Sequence, residues 1–293
     1  MTAPAVSVVI VNFNTGEYLA RCLDTLAAGV DPLEYEVVVV DNASSDDSAT
    51  EVGAHAPRAR LIRNAVNAGF GRAVNQAVAV ARGRLVLLLN PDCELRPGAV
   101  ALLVDELLAH DDCAAAGPDA LNPDGSSQGN ARGDPNLLTG LFGRATLLTR
   151  AFPHLPRVTR NIVVPSRVPT GARSVEVDWI SGACLLLRKS MFEAVGGFDE
   201  RYFLYWEDAD LGRRLRRASY RIRYVPAAKV VHAIGGSSSR AQELAIREFH
   251  RSGWLYYSRW AAPGRMNPMR IVAWLLLHVR CQLYLWRSRL ARR

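Results

Sequence analysis

The stretch "YFLYWEDADLGRRL", residues 202–215, sets three carboxylates beside a cluster of aromatic side chains. Carboxylates in the first turn of a helix starting near Glu207 favour the positive end of its dipole, which accounts for Glu207 and Asp210. Asp208 lies three residues before Leu211, so its side chain is expected to point inward beneath Phe203, Tyr205 and Trp206. A partly desolvated carboxylate gains basicity, and a placed general base is worth roughly 10²–10⁴ in rate. Residue physics leaves helix capping and catalysis both open at this position. A second acid stands in "LLLNPDCEL", where a strand ends, Pro91 fixes the turn and Asp92 projects from the strand's carboxyl edge. One carboxylate there can hold a divalent cation that bridges nucleotide phosphates, because Mg²⁺ favours oxygen ligands; an ordinary Asn-Pro-Asp turn is the alternative. Asp41, closing an earlier strand, suits hydrogen bonding to a base or ribose.

These residues need a scaffold, and the first 120 positions supply one. Apolar runs at 6–11, 35–40, 59–63 and 84–89 read as buried strands, with helices at 18–28, 72–82 and 98–109 between them. Continuous apolar strands alternating with helices predict a parallel sheet with right-handed crossovers. Ligands bind beyond the carboxyl ends of such strands. Asn12 and Asn14, Asp41 and Asn42, Asn67 to Arg72, and Asn90 with Asp92 all fall there. Asn, Asp and Gly also form turns readily, but polar turns after four successive strands favour a polar-ligand crevice. "NAGFGRAVNQA" is not a dinucleotide fingerprint, since it follows the third strand and Val74 occupies the third glycine's place.

Residues 121–174 are rich in Pro, Gly and Arg without period and are expected to be loops and short helices over the crevice. A strand pair or edge at "SVEVDWI" and "ACLLLRK" follows. Then come helix 190–195, helix 207–218 with Leu211, Leu215 and Ala218 as its buried stripe, strand 228–233 and helix 240–258. From Pro268 onwards Val272, Leu276, Val279, Leu283, Trp286 and Leu290 form one apolar stripe with arginines along its flanks. The longest apolar run there, "IVAWLLL", is too short to span a bilayer. An in-plane interfacial helix fits; a helix packed on the domain or on a second copy of the chain, in a homodimer, is the alternative.

The net charge of +8 belongs to the C-terminus: nine arginines and no acid follow Glu248. Such asymmetry points to an anionic partner, namely a membrane surface, a phosphate-bearing substrate or nucleic acid. The acid-placed crevice argues against nucleic acid. Hydrophobic residues make up 49%, which excludes a disordered chain. Five scattered cysteines without CxxC spacing read as reduced thiols in a cytosolic protein. The opening "MTAPAVSVVIVNF" lacks a basic n-region and cleavage site and reads as a first strand rather than a signal peptide.

Taken together, "VSVVIVNFNT", "VVVVDNASSDDS", "NAGFGRAVNQA", "LLLNPDCEL", "WISGACLLLRKSMFEAVGGFDERYFLYWEDADLGRRL" and "VVHAIGGSS" resemble, in order, the motifs of family 2 glycosyltransferases with the GT-A fold. The block at 179–215 looks like the rhamnosyltransferase branch that builds bacterial cell-wall and surface polysaccharides. The resemblance implies an α/β fold, with a mostly parallel central sheet flanked by helices plus a C-terminal amphipathic helix. Residues 1–240 would be the catalytic domain, its nucleotide-sugar half at 1–120 and acceptor half at 121–240. Residues 241–293 would be a basic segment at the membrane interface.

By position, the resemblance assigns Phe13, Asn14, Asp41, Asn42, Asn67, Gly69, Gly71, Arg72, Asn90 and Asp92 to the donor. It gives Trp179, Ser181, Gly182, Tyr205, Trp206 and Glu207 to the acceptor side, and makes Asp208 the general base. Asp92 and His232 would hold Mg²⁺ or Mn²⁺, although a lone His at a strand end is also a common structural residue. Asn90 departs from the family's first acidic position and leaves fewer charged ligands for the metal. The activity implied is inverting transfer of a sugar from a nucleotide-diphosphate donor, with dTDP-L-rhamnose favoured. The acceptor would be a polyprenyl-diphosphate-linked saccharide at the cytoplasmic face of the bacterial plasma membrane, where the chain would be peripheral. The alternatives are a soluble transferase acting on a natural product and a catalytically silent synthase subunit.

Overall fold

The computed structural model describes residues 4–135, 162–233 and 242–290. Strands β1 (Val6–Asn12), β2 (Tyr35–Asp41), β3 (Arg60–Arg63) and β4 (Leu85–Leu89) alternate with helices α1 (Glu17–Asp24), α2 (Leu26–Val30), α3 (Glu51–His55) and α4 (Phe70–Val80). There follow β5 (Cys93–Leu95), α5 (Ala99–Leu108), β6 (Cys113–Leu121), β7 (Ala131–Arg132), β8 (Ile162–Val163), β9 (Val175–Glu176), β10 (Trp179–Ile180), β11 (Cys184–Arg188) and α6 (Lys189–Ala194). Helix α7 (Glu207–Arg217), β12 (Arg221–His232), α8 (Gln242–Trp260) and α9 (Met269–Leu290) complete the order.

Nine strands form the main sheet, in the order β3-β2-β1-β4-β11-β6-β12-β5 with β9 paired to β12. The β3-β2-β1-β4 half is parallel, as its unbroken apolar runs require, because a strand covered on both faces has no polar side to show. Val8 and Ile10 pack beneath α1 and α5, while Val9 and Val38 face α4 and α7. Beyond β4 the sheet is mixed: β11 runs antiparallel to both β4 and β6, and β12 runs parallel to β6.

Several elements differ from their sequence expectation. Residues 93–95, read as part of a turn, add the edge strand β5 antiparallel to β12. Strand β6, "CAAAGPDAL", carries no signal of its own because Ala, Gly and Pro have low strand propensity; its burial between neighbours imposes it. The strand read at 228–233 is the end of the twelve-residue β12, whose register shifts between Val225 and Lys229. Pro226 lies in that shift, where a missing N–H donor is tolerated. Much of the expected loop region, 136–161, lies outside the described residues, as do 234–241. On α7, Leu211 and Leu215 are buried but Ala218 is exposed at the helix end.

The C-terminal stripe faces the opposite way from a packed core. Helix α9 docks on α8 through Ala273, Leu277, Cys281 and Leu285, a four-residue spacing, and leaves Val272, Leu276, Val279, Leu283, Trp286 and Leu290 exposed.

Candidate active site

The carboxyl ends of β1, β2 and β4 converge with the 181–183 and 203–208 segments around a cavity of about 260 Å³. Phe13, Asn42, Asn67, Gly69, Asn90, Asp92, Ser181, Gly182, Tyr205, Glu207, Asp208 and His232, all expected from sequence, line it. At the ends of β1 and β2 a hydrogen-bonded lattice fixes the rim of the cavity. Asn12 donates from Nδ2 to Asp41 Oδ1 at 2.9 Å and to Ser48 Oγ at 2.8 Å. Asn42 donates to Asn67 Oδ1 at 2.9 Å and accepts from the Ala68 N–H at 3.0 Å, tying β2 to the loop before α4. Gly69 has φ +86°, and a Cβ there would come within 2.6 Å of the Phe203 carbonyl oxygen. That oxygen accepts from the Phe70 N–H at 2.8 Å, so the glycine permits the contact that joins the start of α4 to the 203–208 segment.

Asn14, Asp41, Gly71, Arg72, Trp179 and Trp206 do not line the cavity. Asn14 Oδ1 accepts from the Ser45 N–H at 2.7 Å, so this residue shapes the loop after β2. Asp41 is buried, spent on Asn12 and the Ser44 N–H. Gly71 packs on Phe198, and the Arg72 side chain turns outward to Glu200 at 3.6 Å. Trp179 donates to the Gly133 carbonyl at 2.9 Å and carries Arg132 over its ring. Trp206 turns back onto α8, its ring 5.3 Å from Tyr256 and its Nε1 donating to the Phe249 carbonyl at 3.1 Å. It is a buttress behind the pocket wall rather than a stacking platform for a sugar.

At the centre, the ligating atoms of Asp92, Cys93 and His232 lie within 4.8 Å of one another. His232 Nε2 stands 3.3 Å from Asp92 Oδ1, and its Nδ1 lies 3.0 Å from Gln128 Oε1, a partner that orients the imidazole. The residues fit a divalent cation that accepts oxygen and imidazole nitrogen, with the substrate's own oxygens filling the remaining positions. Cys93 is not a suitable third ligand, because burial and the nearby Asp92 charge push its thiol up and its Sγ donates to the Ala183 carbonyl.

Asp208 occupies the first turn of α7, where its Oδ1 accepts from the Ala209 N–H at 2.8 Å and its Oδ2 from the Gly182 N–H at 3.3 Å. Burial raises its carboxyl above the ordinary range, and these two donors with Arg132 oppose the rise. Glu207 is 5% exposed, and burial together with the Asp208 charge pushes it well above the usual carboxylate range. Asp210 is not a helix-start decoration. It is fully buried and accepts from Arg214 Nε at 2.7 Å, Arg259 Nη1 at 3.0 Å and Trp260 Nε1 at 2.8 Å.

Sequence reasoning missed Gln128 and the cavity residues Leu244 and Ala245, which α8 brings to the rim. Their only signal is tertiary, since no local pattern links position 244 to a strand end in the first third of the chain.

A curled mixed sheet with a polar crevice at its parallel strand ends, an acid there and a second acid on a later helix define the GT-A class of glycosyltransferase folds. Residues 7–195 match the model for glycosyl transferase family 2, and the chain belongs to that family. It is 33% identical over 302 residues to the N-acetylglucosaminyl-diphospho-decaprenol L-rhamnosyltransferase of Mycobacterium tuberculosis, covering 96% of this chain and 94% of that one. It is 27% identical to the rhamnosyltransferase WbbL of Escherichia coli K12, covering 87% and 93% of the two chains. Among solved structures, a mannosyltransferase from Pyrobaculum calidifontis in complex with GDP-Man and Mn²⁺ has the same fold, with TM-score 0.60 and 18% identity over 94% of this chain and 70% of that one.

Proposed function

We propose that the chain is an inverting L-rhamnosyltransferase that takes dTDP-L-rhamnose as donor and a saccharide on polyprenyl diphosphate as acceptor. The observation that carries the chemistry is Asp208 facing the same cavity as the Asp92–His232 pair. Asp208 takes the proton of the acceptor hydroxyl. The freed oxygen forms a bond to the anomeric carbon from the face opposite the diphosphate, whose bond to that carbon breaks. A single base serves one displacement, and no second nucleophile is needed. Asp92 and His232 would hold Mg²⁺ or Mn²⁺, which offsets charge on the departing diphosphate. The N-terminal half, with its Asn12–Asp41 and Asn42–Asn67 lattice, binds the nucleotide; the 179–208 segments receive the acceptor. Both rhamnosyltransferase relatives, matched along most of their length, support the choice of sugar, and the decaprenol-linked acceptor of one supports a lipid-borne substrate.

Among the described residues no helix is long and apolar enough to cross a membrane. The exposed apolar face of α9, with Trp286 60% exposed and arginines beside it, supports attachment to an anionic membrane surface instead.

Asp208→Asn tests the mechanism. Transfer should fall by about 10²–10⁴ while dTDP-rhamnose still raises the melting temperature. Undiminished transfer in this variant would remove the base assignment, and stabilisation by other nucleotide sugars but not by dTDP-rhamnose would remove the donor.

A further inference from the structure

Helices α8 and α9 run antiparallel. Trp254 of α8 donates from Nε1 to the Arg270 carbonyl at 3.3 Å, which sets the start of α9 beside the second half of α8. At the other end, about 30 Å along α9, Arg289 donates from Nε to Glu243 Oε1 at 3.1 Å and from Nη2 to Oε2 at 3.0 Å. In this two-pronged pair the arginine fixes direction as well as distance. It holds a turn that packing grips weakly, because beyond Leu285 the buried residue of α9 is the small Ser288. The pair therefore sets the end of α9 at the first turn of α8, and that turn belongs to the cavity, which Leu244 and Ala245 line. Leu244 remains 37% exposed. A single exposed leucine needs no explanation. This one follows Glu243 directly, while Trp286 stands one turn before Arg289 and Leu290 directly after it, both exposed. The apolar face of α9 thus ends beside the cavity mouth rather than on a remote surface.

We infer that this junction, Leu244 with Trp286 and Leu290, is a docking surface for the first isoprene units of a lipid diphosphate acceptor whose sugar lies in the cavity. The Arg289–Glu243 pair is the positioning device that brings the two apolar parts together. This rests on the reading of the acceptor as polyprenyl-linked. An isoprenoid tail is hydrocarbon throughout, so each unit seated on leucine and tryptophan leaves water, and affinity rises with the area covered. Attachment of α9 to a bilayer makes no such demand, since it predicts no preference for a tail on an acceptor dissolved singly in water.

The test uses the full chain without vesicles and two acceptors, N-acetylglucosaminyl diphosphate esterified either to farnesol or to methanol, kept below the concentration at which the farnesyl compound forms micelles. The farnesyl acceptor should have a KM at least about tenfold below that of the methyl one. Leu244→Asn and Arg289→Ala should each shrink this ratio to under about threefold, and Arg289→Ala should leave kcat with the methyl acceptor within about twofold. Equal KM for the two acceptors in the native protein, or an unchanged ratio in Leu244→Asn, overturns the docking surface. An unchanged ratio in Arg289→Ala overturns the positioning role of the pair. Farnesyl diphosphate alone gives a reading that needs no transfer: it should raise the melting temperature of the native protein more than that of Leu244→Asn. Equal shifts overturn the surface whether or not transfer occurs. The two ideas fail differently. Transfer to both acceptors without preference removes the tail surface and leaves the transferase reading, whereas transfer to neither removes the polyprenyl-linked acceptor, and the inference falls with it.

Discussion

Glu207 and Asp208 are neighbours on one helical turn, yet their surroundings differ. Two backbone N–H groups hold the Asp208 carboxylate, whereas nothing described holds Glu207 Oε2. The consequence for stability has a definite sign. Because the folded protein raises the Glu207 carboxyl above its unfolded value, its contribution is intact below about pH 4.3. That contribution is lost as pH climbs towards the folded value, since only the unfolded chain releases the proton readily. The difference in melting temperature between Glu207→Gln and the native protein should therefore grow in favour of the variant as pH rises from about 4 to 7. A constant difference across that range, measured by thermal denaturation, would contradict the buried neutral acid. Neither feature was legible at the residues themselves: the ED pair marked a place where chemistry could occur, but burial of one member and clamping of the other depend on Gly182 and α8.

At the scale of elements, α8 is the part that turns an ordinary helix start into a shaped wall. It anchors α7 through Asp210, which receives Arg259 and Trp260 from α8 and Arg214 from its own helix. Removing that carboxylate leaves the mostly buried Arg214 guanidinium without its carboxylate partner, whereas Arg259 keeps Asp199 at 2.6 Å. Asp210→Ala should lower stability by about 3–5 kcal/mol, read as a fall in the urea midpoint. A loss under about 1 kcal/mol would show that the cluster is screened like a surface pair. The β1–β4 strands and α4 were readable because a buried parallel strand is apolar throughout and an amphipathic helix is periodic. β6 was not, because its small residues give no periodic signal, and the alternation of Ile222 and Tyr224 in the first half of β12 is a short run cut off by Pro226. Their strand form follows from the pairing partners on either side, β11 and β9.

For the whole molecule, the charge asymmetry and the α9 surface make one prediction together. Nine arginines and no acids follow Glu248 in the sequence, and the outward face of α9 includes Ile271 at 65% and Trp286 at 60% exposure. Arginines near an anionic surface are worth about 1 kcal/mol each, and the apolar face adds area-dependent burial. The full chain should pellet with vesicles containing anionic lipid and pellet poorly with neutral ones. Trp274→Ser with Trp286→Ser should reduce pelleting even at low salt. Equal pelleting with neutral vesicles would remove the electrostatic part, and concentration-dependent dimerisation that hides α9 would replace the membrane with a second copy.

Composition and local pattern determined the parallel half of the sheet, the polar strand ends and the motif order that places the chain in its family, because all three are written in short segments. The amphipathic character of α9 was equally local. Which face of α9 docks on α8, why Trp206 leaves the cavity while Glu207 enters it, and how Gln128 comes to orient His232 were decided only by tertiary structure. Each depends on segments tens to more than a hundred residues apart meeting in space, and no local periodicity records which side of an element its partner will take.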